Sequence, residues 1–212
     1  MITSQLIILV LCAYLIGSFP SAVWIGKLFY NKDVREYGSG NAGATNTFRV
    51  LGVRAGLPVL LIDIFKGWLS VNLILLFNQN INSSLNVDRF FEIQLVLALS
   101  AVLGHLFPIY TGFRGGKGIA TMLGVLIGIL PIAALGSSVI FLIILLLFRY
   151  VSLASIIASI CFPLIVFLFL EIDNDALNLF VIFVPILSLI THQKNIEKLF
   201  KGEETKVKFG KK

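Results

Sequence analysis

The sequence predicts an all-α integral membrane protein, a seven-transmembrane-helix bundle with its N-terminus outside and its C-terminus cytoplasmic. Three observations carry that expectation. The 212 residues are 58% hydrophobic and only 13% charged, whereas a soluble domain is about half apolar and about a quarter charged. The apolar residues come in long runs between short polar notches, and no polar block is long enough for a separate domain, so 1–212 reads as a single transmembrane domain. The lysines and arginines fall in alternate loops, as they do when basic residues stay on the cytoplasmic side. The net charge of +6 therefore has a topological explanation and does not point to nucleic acid.

The first apolar segment covers residues 5–28. The leading MITSQ carries no positive charge and no small-residue cleavage site follows, so the segment reads as a retained helix and not a signal peptide. Lys27 to Arg54 reads as a polar loop. Leu57–Phe77 is the second helix, with Pro58 near its first turn, where a missing N–H costs little. Asn78–Asp88 is a short polar loop, and Phe91–Tyr110 is the third helix, ending at His105 and Pro108. A second polar loop, Thr111–Gly118, leads into the run Ile119–Phe148. Arg149–Ser155 is a third polar notch, Ile156–Leu170 the next helix and Glu171–Asp175 an acidic loop. Leu177–Ile190 is the last helix, and Thr191–Lys212 is a basic tail. Cys12 and Cys161 lie in separate apolar segments and read as packing residues.

The run Ile119–Phe148 decides the helix count. As one helix it would be about 45 Å long, too long to span untilted, and Pro131 and Gly136–Ser138 offer a break. Charge favours two helices. Lys27, Lys32, Arg35, Arg49 and Arg54 lie in the first loop, Arg114 and Lys117 in the loop after the third helix, and seven lysines lie in the tail from Lys194 onward. With seven spans all of these face the cytoplasm, and the outer loops hold only Arg89 beside Asp88, Glu92, Glu171, Asp173 and Asp175. With six, the lysine-rich tail would lie outside, against the positive-inside rule.

This topology gathers the polar motifs, in loops 38–49, 111–118, 149–155 and 191–204, on the cytoplasmic side. The most telling is Gly38–Arg49, GSGNAGATNTFR. Gly38, Gly40 and Gly43 allow positive φ and let backbone N–H groups converge on an anion. Ser39, Asn41, Thr45 and Asn46 add uncharged donors, and Arg49 adds a planar fork suited to phosphate oxygens. A linker gains nothing from that order. The second motif, Gly115-Gly116-Lys117-Gly118, resembles the end of a P-loop but does not complete one. Thr111 stands where the first P-loop glycine belongs, and Gly118 where Ser or Thr would bind magnesium. Nucleotide hydrolysis is therefore not expected. What remains is a lysine on a glycine loop that opens a helix, with N–H groups and the helix dipole facing an anion.

Ser152 and Ser155 follow Arg149-Tyr150 and, taken alone, read as helix N-caps. His192 and Asn195, three apart, share a face if the last helix continues, and a histidine at the membrane edge can accept a proton. His105 reads as a structural hydrogen-bonding partner. Asp63 and Lys66, at i and i+3 within the second helix, can pair with each other. They are either a support beneath the phosphate sites or a self-paired anchor. No metal cluster, no GxSxG elbow and no acyltransferase-type H-x4-D is present in the sequence.

At these residues the sequence resembles the bacterial membrane acylphosphate-dependent glycerol-3-phosphate acyltransferases. Three motifs match in order: GSGNAGATNTFR (Gly38–Arg49), GHLFPIYTGFRGGKGIAT (Gly104–Thr121) and HQKNIEKLFKGEE (His192–Glu204). The resemblance implies transfer of a fatty acyl group from acyl phosphate to the 1-hydroxyl of glycerol 3-phosphate, giving lysophosphatidate. It implies a seven-helix bundle in the bacterial inner membrane with a cytoplasmic-side site, no cofactor and no metal. By position, Ser39, Arg49, Lys117, His192 and Asn195 become the expected catalytic residues. Gly38, Gly40, Asn41, Gly43, Thr45, Asn46, Gly115, Gly116, Gly118 and Ser155 become the expected substrate-binding residues. Arg114 stands where the family often has lysine, which keeps the charge. The expected partners are glycerol 3-phosphate, a long-chain acyl phosphate, membrane lipid and a soluble enzyme that produces acyl phosphate.

The chemistry fits independently of the resemblance. Two phosphate-bearing substrates need two anion sites, and an acyl phosphate is already activated, so no protein nucleophile is required. The base for the attacking hydroxyl is either His192 or a substrate phosphate oxygen. An anion transporter would need polar groups at the bilayer midplane and internal repeats, which the sequence lacks apart from Asp63 and Lys66. A non-enzymatic membrane scaffold would leave the polar loops without a purpose.

Overall fold

The computed structural model describes residues 2–76 and 87–207. Among them the chain is all-helical, with ten α-helices, two 3-10 turns and no strand. It divides into two compact units, Met1–Ile129 and Leu130–Lys212.

In the first unit, α1 (Ile2–Gly17) and α2 (Ser21–Tyr30) are one apolar run bent by 41°. The sequence predicts this run unbroken. Pro20 breaks it, because it has no N–H and disfavours helical geometry at Phe19. At the break the Phe19 carbonyl accepts the Ser21 N–H at 3.1 Å and Lys66 Nζ at 2.9 Å. A 3-10 turn, Val34–Glu36, follows. Val34 is buried against Ala22 and Val59, a burial that contributes about 1.5–3 kcal/mol.

The stretch expected to be loop up to Arg54 is loop only as far as Gly43. There α3 (Ala44–Leu51) begins. Ala44, Phe48 and Leu51 recur at helical spacing. Ala44 and Leu51 pack on the Val34 cluster, and the Phe48 ring lies against Gly56. Gly52, at φ 83°, turns the chain directly into α4 (Val53–Leu76). That helix starts four residues before Leu57, so Pro58 sits in its second turn and not its first. Most of the expected loop Asn78–Asp88 lies outside the described residues, as does Phe77, while Val87 and Asp88 already belong to α5 (Val87–Leu106). Beyond Pro108 a 3-10 turn, Ile109–Thr111, replaces the expected last turn of the helix. The unit closes with α6 (Ile119–Ile129).

These helices cross at glycines. A β-carbon on Gly17 would overlap the Ala101 carbonyl, and one on Gly104 the Tyr14 carbonyl, where α1 meets α5. Gly67 and Gly124 make the same kind of contact with the Thr121 and Ile64 carbonyls, where α4 meets α6. In a bilayer no hydrophobic force drives helix association, so close backbone packing at small residues takes its place.

In the second unit, α7 (Pro131–Phe148) and α8 (Val151–Phe169) form a hairpin with only Arg149 and Tyr150 between them. The break in Ile119–Phe148 falls at Leu130, with Pro131 opening α7, while Gly136–Ser138 lies inside it. Arg149 takes a left-handed φ of 65°, which makes the tight reversal. Next come α9 (Asp175–Thr191), capped by Asn174 Oδ1 accepting from the Leu177 N–H at 2.9 Å, and α10 (Gln193–Phe200). Phe162, Val166 and Val181 are fully buried in this unit.

Four helices are long and apolar enough to cross a membrane, and the bent pairs α1–α2 and α9–α10 raise the number to six. Helix α6, with eleven residues, is about 16 Å long. The outer face of α7, including Leu135, Leu142, Leu146 and Leu147, is exposed and apolar, as hydrocarbon surroundings demand.

The glycine crossings are testable. Gly104→Ala must push α1 off α5, and overpacking of this kind costs about 1–3 kcal/mol or more. Thermal unfolding in detergent is expected to shift down by several degrees.

Candidate functional site

The first motif loop is held from within. Gly38 and Gly40 take φ of 62° and 71°, as expected. Gly43 does not. It is extended, at φ −133°, and stands at the N-cap of α3. Asn46 is buried and staples the loop. Its Nδ2 donates to the Val34 and Tyr37 carbonyls at 2.7 and 3.1 Å, and its Oδ1 accepts the Ser39 N–H at 2.9 Å. The Gly40 N–H donates to the Tyr37 carbonyl. The Ser39 and Gly40 amides therefore point inward and not at a shared anion. What faces outward are the side chains of Ser39, Thr45 and Arg49, all exposed, and Asn41, half-buried. The first-turn N–H groups of α3 join them, since those groups have no intrahelical partner and Gly43 brings no side chain to cap them.

The second loop is likewise tied down. The Gly115 and Gly116 N–H groups donate to the Leu106 and His105 carbonyls, both at 3.2 Å, so these two amides fold the loop onto the end of α5 and are not anion donors. Gly118, at φ 80°, precedes α6 and accepts the Met122 N–H through its carbonyl. Lys117 thus sits between an anchored Gly115–Gly116 pair and a helix N-terminus, where the dipole adds positive potential.

Two contacts bind the loops to each other and to the helices. Arg35 holds Asp33 through Nε at 3.0 Å and Nη2 at 2.7 Å, and its Nη1 donates to the Thr111 carbonyl at 3.0 Å. Hydrogen bonding from the Arg35 guanidinium holds the Asp33 carboxyl well below the usual carboxylate range, so the clasp is ionic at any ordinary pH. A cleft lined by Arg35, Glu36, Thr111 and Arg114 opens between the loops. Deeper, Asp63 and Lys66 pair at 2.8 Å, both buried. Ser21 Oγ donates to Asp63 Oδ1 at 2.7 Å. His105 Nδ1 lies 3.7 Å from that oxygen and 3.0 Å from Thr121 Oγ1. The Asp63–Lys66 pair is therefore no self-contained anchor, because it reaches the helix break at Phe19 on one side and His105 on the other.

In the second unit neither Ser152 nor Ser155 caps α8, since that position belongs to Tyr150. Ser152 Oγ donates to Glu204 Oε1 at 3.1 Å, and Ser155 Oγ to the Val151 carbonyl at 2.9 Å. The last helix does not continue through His192. It bends by 62° there. His192 is buried, with Nδ1 2.8 Å from the Ser188 carbonyl. A carbonyl only accepts, so Nδ1 carries the proton, and a neutral ring then has its lone pair on Nε2. Asn195 Nδ2 donates to both oxygens of Glu204, at 3.0 and 3.1 Å. The tail returns to the α7–α8 turn, where the Val207 N–H donates to the Arg149 carbonyl at 2.7 Å.

Sequence reasoning named Asn195 and Ser155 but not Glu204, the group that gathers Ser152 and Asn195. Its signal was its place at the end of the third motif. Asp33 and Arg35 were also missed, and their i, i+2 spacing in a loop carried no signal.

A family profile described as glycerol-3-phosphate acyltransferase matches residues 7–202. The chain is 46% identical over 205 residues to the glycerol-3-phosphate acyltransferase of Staphylococcus aureus strain Newman, covering 97% of this chain and 99% of that one. The protein of that name from Staphylococcus aureus strain bovine RF122 / ET3-1 is equally similar, at 46% identity over the same shares. Among solved structures, the chain is similar to the crystal structure of PlsY (YgiH), an integral membrane glycerol 3-phosphate acyltransferase, in its glycerol 3-phosphate form. The identity is 36% and the TM-score 0.85, over 96% of each chain. The lysophosphatidic acid form gives 35% and 0.82 over the same shares.

Glu204→Gln keeps the shape of the tail's contact but removes the charge, and it sets an amide NH2, which cannot accept, where one of the two oxygens that receive Asn195 Nδ2 stood. Hydrogen bonds to charged groups contribute about 1.5–3 kcal/mol each, against about 1 for neutral ones. Proteolysis after Lys201 or Lys206 is expected to quicken severalfold in Glu204→Gln and further in Glu204→Ala, with cleavage products read by mass spectrometry.

Proposed function

The chain belongs to the glycerol-3-phosphate acyltransferase family, and on that premise we propose that its acyl donor is acyl phosphate, transferred directly to the 1-hydroxyl of glycerol 3-phosphate without an acyl-enzyme. The products are lysophosphatidate and phosphate. The observation that carries this reading is the pair of glycine loops in the first unit, clasped together through Arg35 and Thr111, one leading into the helix whose last turn holds Arg49 and the other bearing Lys117. Two phosphate-bearing substrates call for two such loops.

The roles follow from what each group can do. Arg49 offers a bidentate fork to phosphate oxygens, while Lys117 is a point charge beside a helix N-terminus, suited to the charge that grows on the departing phosphate. Ser39 and Thr45 orient through hydroxyls. The tautomer of His192 gives it an acceptor at Nε2 for the attacking hydroxyl. A phosphate oxygen of the substrate can take the proton instead, and His192→Ala separates the two, since a base is indispensable and an orienting group is not. Asn195 and Ser155 are assigned to the same reaction by their places in the matched motifs. Acyl phosphate is an activated mixed anhydride, so positioning and charge neutralisation suffice.

The membrane reading extends to seven crossings, with the N-terminus outside and the active face cytoplasmic. Helix α6 must be counted as a crossing for the basic segments at Lys27–Arg54, Arg114–Lys117 and Lys194–Lys206 to share one side. The acyl chain of the donor lies among the apolar helices in the bacterial membrane. A soluble enzyme that produces acyl phosphate is the expected supplier of the donor.

Purified protein in detergent is expected to form lysophosphatidate from glycerol 3-phosphate with acyl phosphate and at most a few per cent of that rate with acyl-CoA. Comparable rates with both donors would sink the donor assignment.

Arg49→Lys keeps charge and loses the fork, so it is expected to raise KM for glycerol 3-phosphate about ten- to a hundredfold, the worth of one charge-assisted hydrogen bond. Lys117→Ala is expected to reduce kcat below detection. Near wild-type constants in both variants would refute the anion-site reading.

Single cysteines at Ser39, Lys117 and Asn195 are expected to label from the cytoplasm with an impermeant maleimide. One at Asn174 is expected to label from outside, as is one at Ser83, which lies outside the described residues. Outside labelling at Asn195 would refute the seven-crossing count.

A further inference from the structure

The proposed chemistry does not use the buried network of the first unit, and His105 is the member of it that reaches the lysine loop. His105 stands at the end of α5, 6% exposed, with its two ring nitrogens facing different partners. Nδ1 meets Thr121 Oγ1 of α6 and approaches Asp63 of α4. Nε2 lies where a β-carbon on Gly116 would be, and the Ala42 carbonyl of the first motif loop is 3.2 Å from that same point. The backbone carbonyl of His105 accepts the Gly116 N–H. One residue thus contacts two helices and the lysine loop, and a small cavity lined by Ser18, Ala42, Lys66, His105 and Gly115 adjoins it.

We propose that His105 is a positioning residue for Lys117: its ring is the floor on which the Gly115–Gly118 loop rests, braced through Thr121 and Asp63, and residue 116 is glycine to admit the Nε2 edge. The backbone at Gly116 does not itself demand glycine, because its φ is not positive whereas those of Gly112 and Gly118 are. The demand comes from the ring. Asp63 receives Ser21 and Lys66 on the oxygen that faces His105, so the ring's orientation is set by the same ion pair that helps satisfy the helix break at Phe19. Displacing the loop moves Lys117 relative to the departing phosphate, and a shift of about 1 Å at a positioned group can cost on the order of a hundredfold in rate. The assignment rests on the phosphate-binding role given to Lys117.

The test uses the full chain in detergent and two readouts. The first is kcat and KM for glycerol 3-phosphate and a long-chain acyl phosphate in His105→Asn, Gly116→Ala and the double variant. Asn keeps a polar atom near Nδ1 and removes the Nε2 edge. Each single variant is expected to lose at least about tenfold in kcat, and the double variant to be more active than Gly116→Ala alone, because the shortened side chain makes room for the new methyl. Destabilisations of a merely structural kind would accumulate instead. Losses that multiply in the double variant, or single variants with wild-type kcat, overturn the proposal.

The second readout is hydrogen–deuterium exchange over residues 112–118, which does not depend on activity. His105→Asn is expected to speed exchange there at least about tenfold through local opening while leaving α8 unchanged. An inactive wild-type protein would defeat the acyltransferase reading and leave this arm standing. Should Gly116→Ala not assemble, Thr121→Val removes the brace on Nδ1 at nearly constant shape, and it is expected to move exchange and kcat in the same direction as His105→Asn. Unchanged exchange in His105→Asn or in Thr121→Val overturns the proposal.

Discussion

The first unit depends on the ion pair between Asp63 and Lys66. Both side chains are buried within a helix long and apolar enough to span a bilayer. A lone charge there costs several kcal/mol, and removing one partner of a buried pair costs about 3–5 kcal/mol. The pair alone would only break even. What makes it structural is its second set of partners. Lys66 joins the Ser21 N–H as a donor to the Phe19 carbonyl, where Pro20 breaks the first apolar run, and Asp63 receives the Ser21 hydroxyl from the other side of that break. A kinked helix in a membrane must re-satisfy its freed backbone groups, and here an ammonium and a backbone N–H share that task. The kink and the ion pair therefore explain each other, and the bend directs α2 toward the loop that holds Gly38 to Gly43.

Around that point the packing is made of backbone contacts. Gly17 with Gly104, and Gly67 with Gly124, let helix axes approach until carbonyls fill the space of the missing side chains. Such crossings fix helix positions more tightly than long apolar side chains can, since a leucine contact tolerates repacking and a backbone contact does not. Thr121 and Gly104 lie in these crossings, Thr121 three residues after the second motif loop and Gly104 next to His105, whose carbonyl accepts the Gly116 N–H. The precision that an anion site needs thus comes from helices whose relative positions are set a few ångströms below it.

The sequence made the fold class legible because hydropathy and charge asymmetry are properties of whole segments. It made the three motifs legible because glycine, asparagine and cations are rare in an apolar chain. It did not reveal α3. Eight residues containing two threonines and an asparagine, next to a glycine run, read as loop, and only burial of Ala44 and Leu51 against Val34 makes them helical. Helix boundaries slipped by up to five residues for the same reason, as at Val151 where the start was placed at Ile156. The break at Pro20 was visible in composition but masked by the hydropathy on both sides. The meeting of Glu204 with Ser152 spans more than fifty positions, and no local pattern announces it.

The polar residues of the motifs divide into two kinds by where their hydrogen bonds go, and that division bears on mechanism more than their identity does. Asn46 and the amides of Ser39, Gly40, Gly115 and Gly116 are consumed within the protein. They hold the loops before any substrate arrives, so the cost of ordering is met in folding and not on binding. The side chains of Ser39, Thr45 and Arg49 lie outward and can meet charge as it develops. A loop built this way needs no large rearrangement of its backbone to bind phosphate, so only the exposed side chains have to be ordered on binding. Such a loop suits the proposed acyl-phosphate donor: a donor of that kind arrives activated, and most of what a protein would then contribute is two anions held side by side and a fixed field around the one that departs.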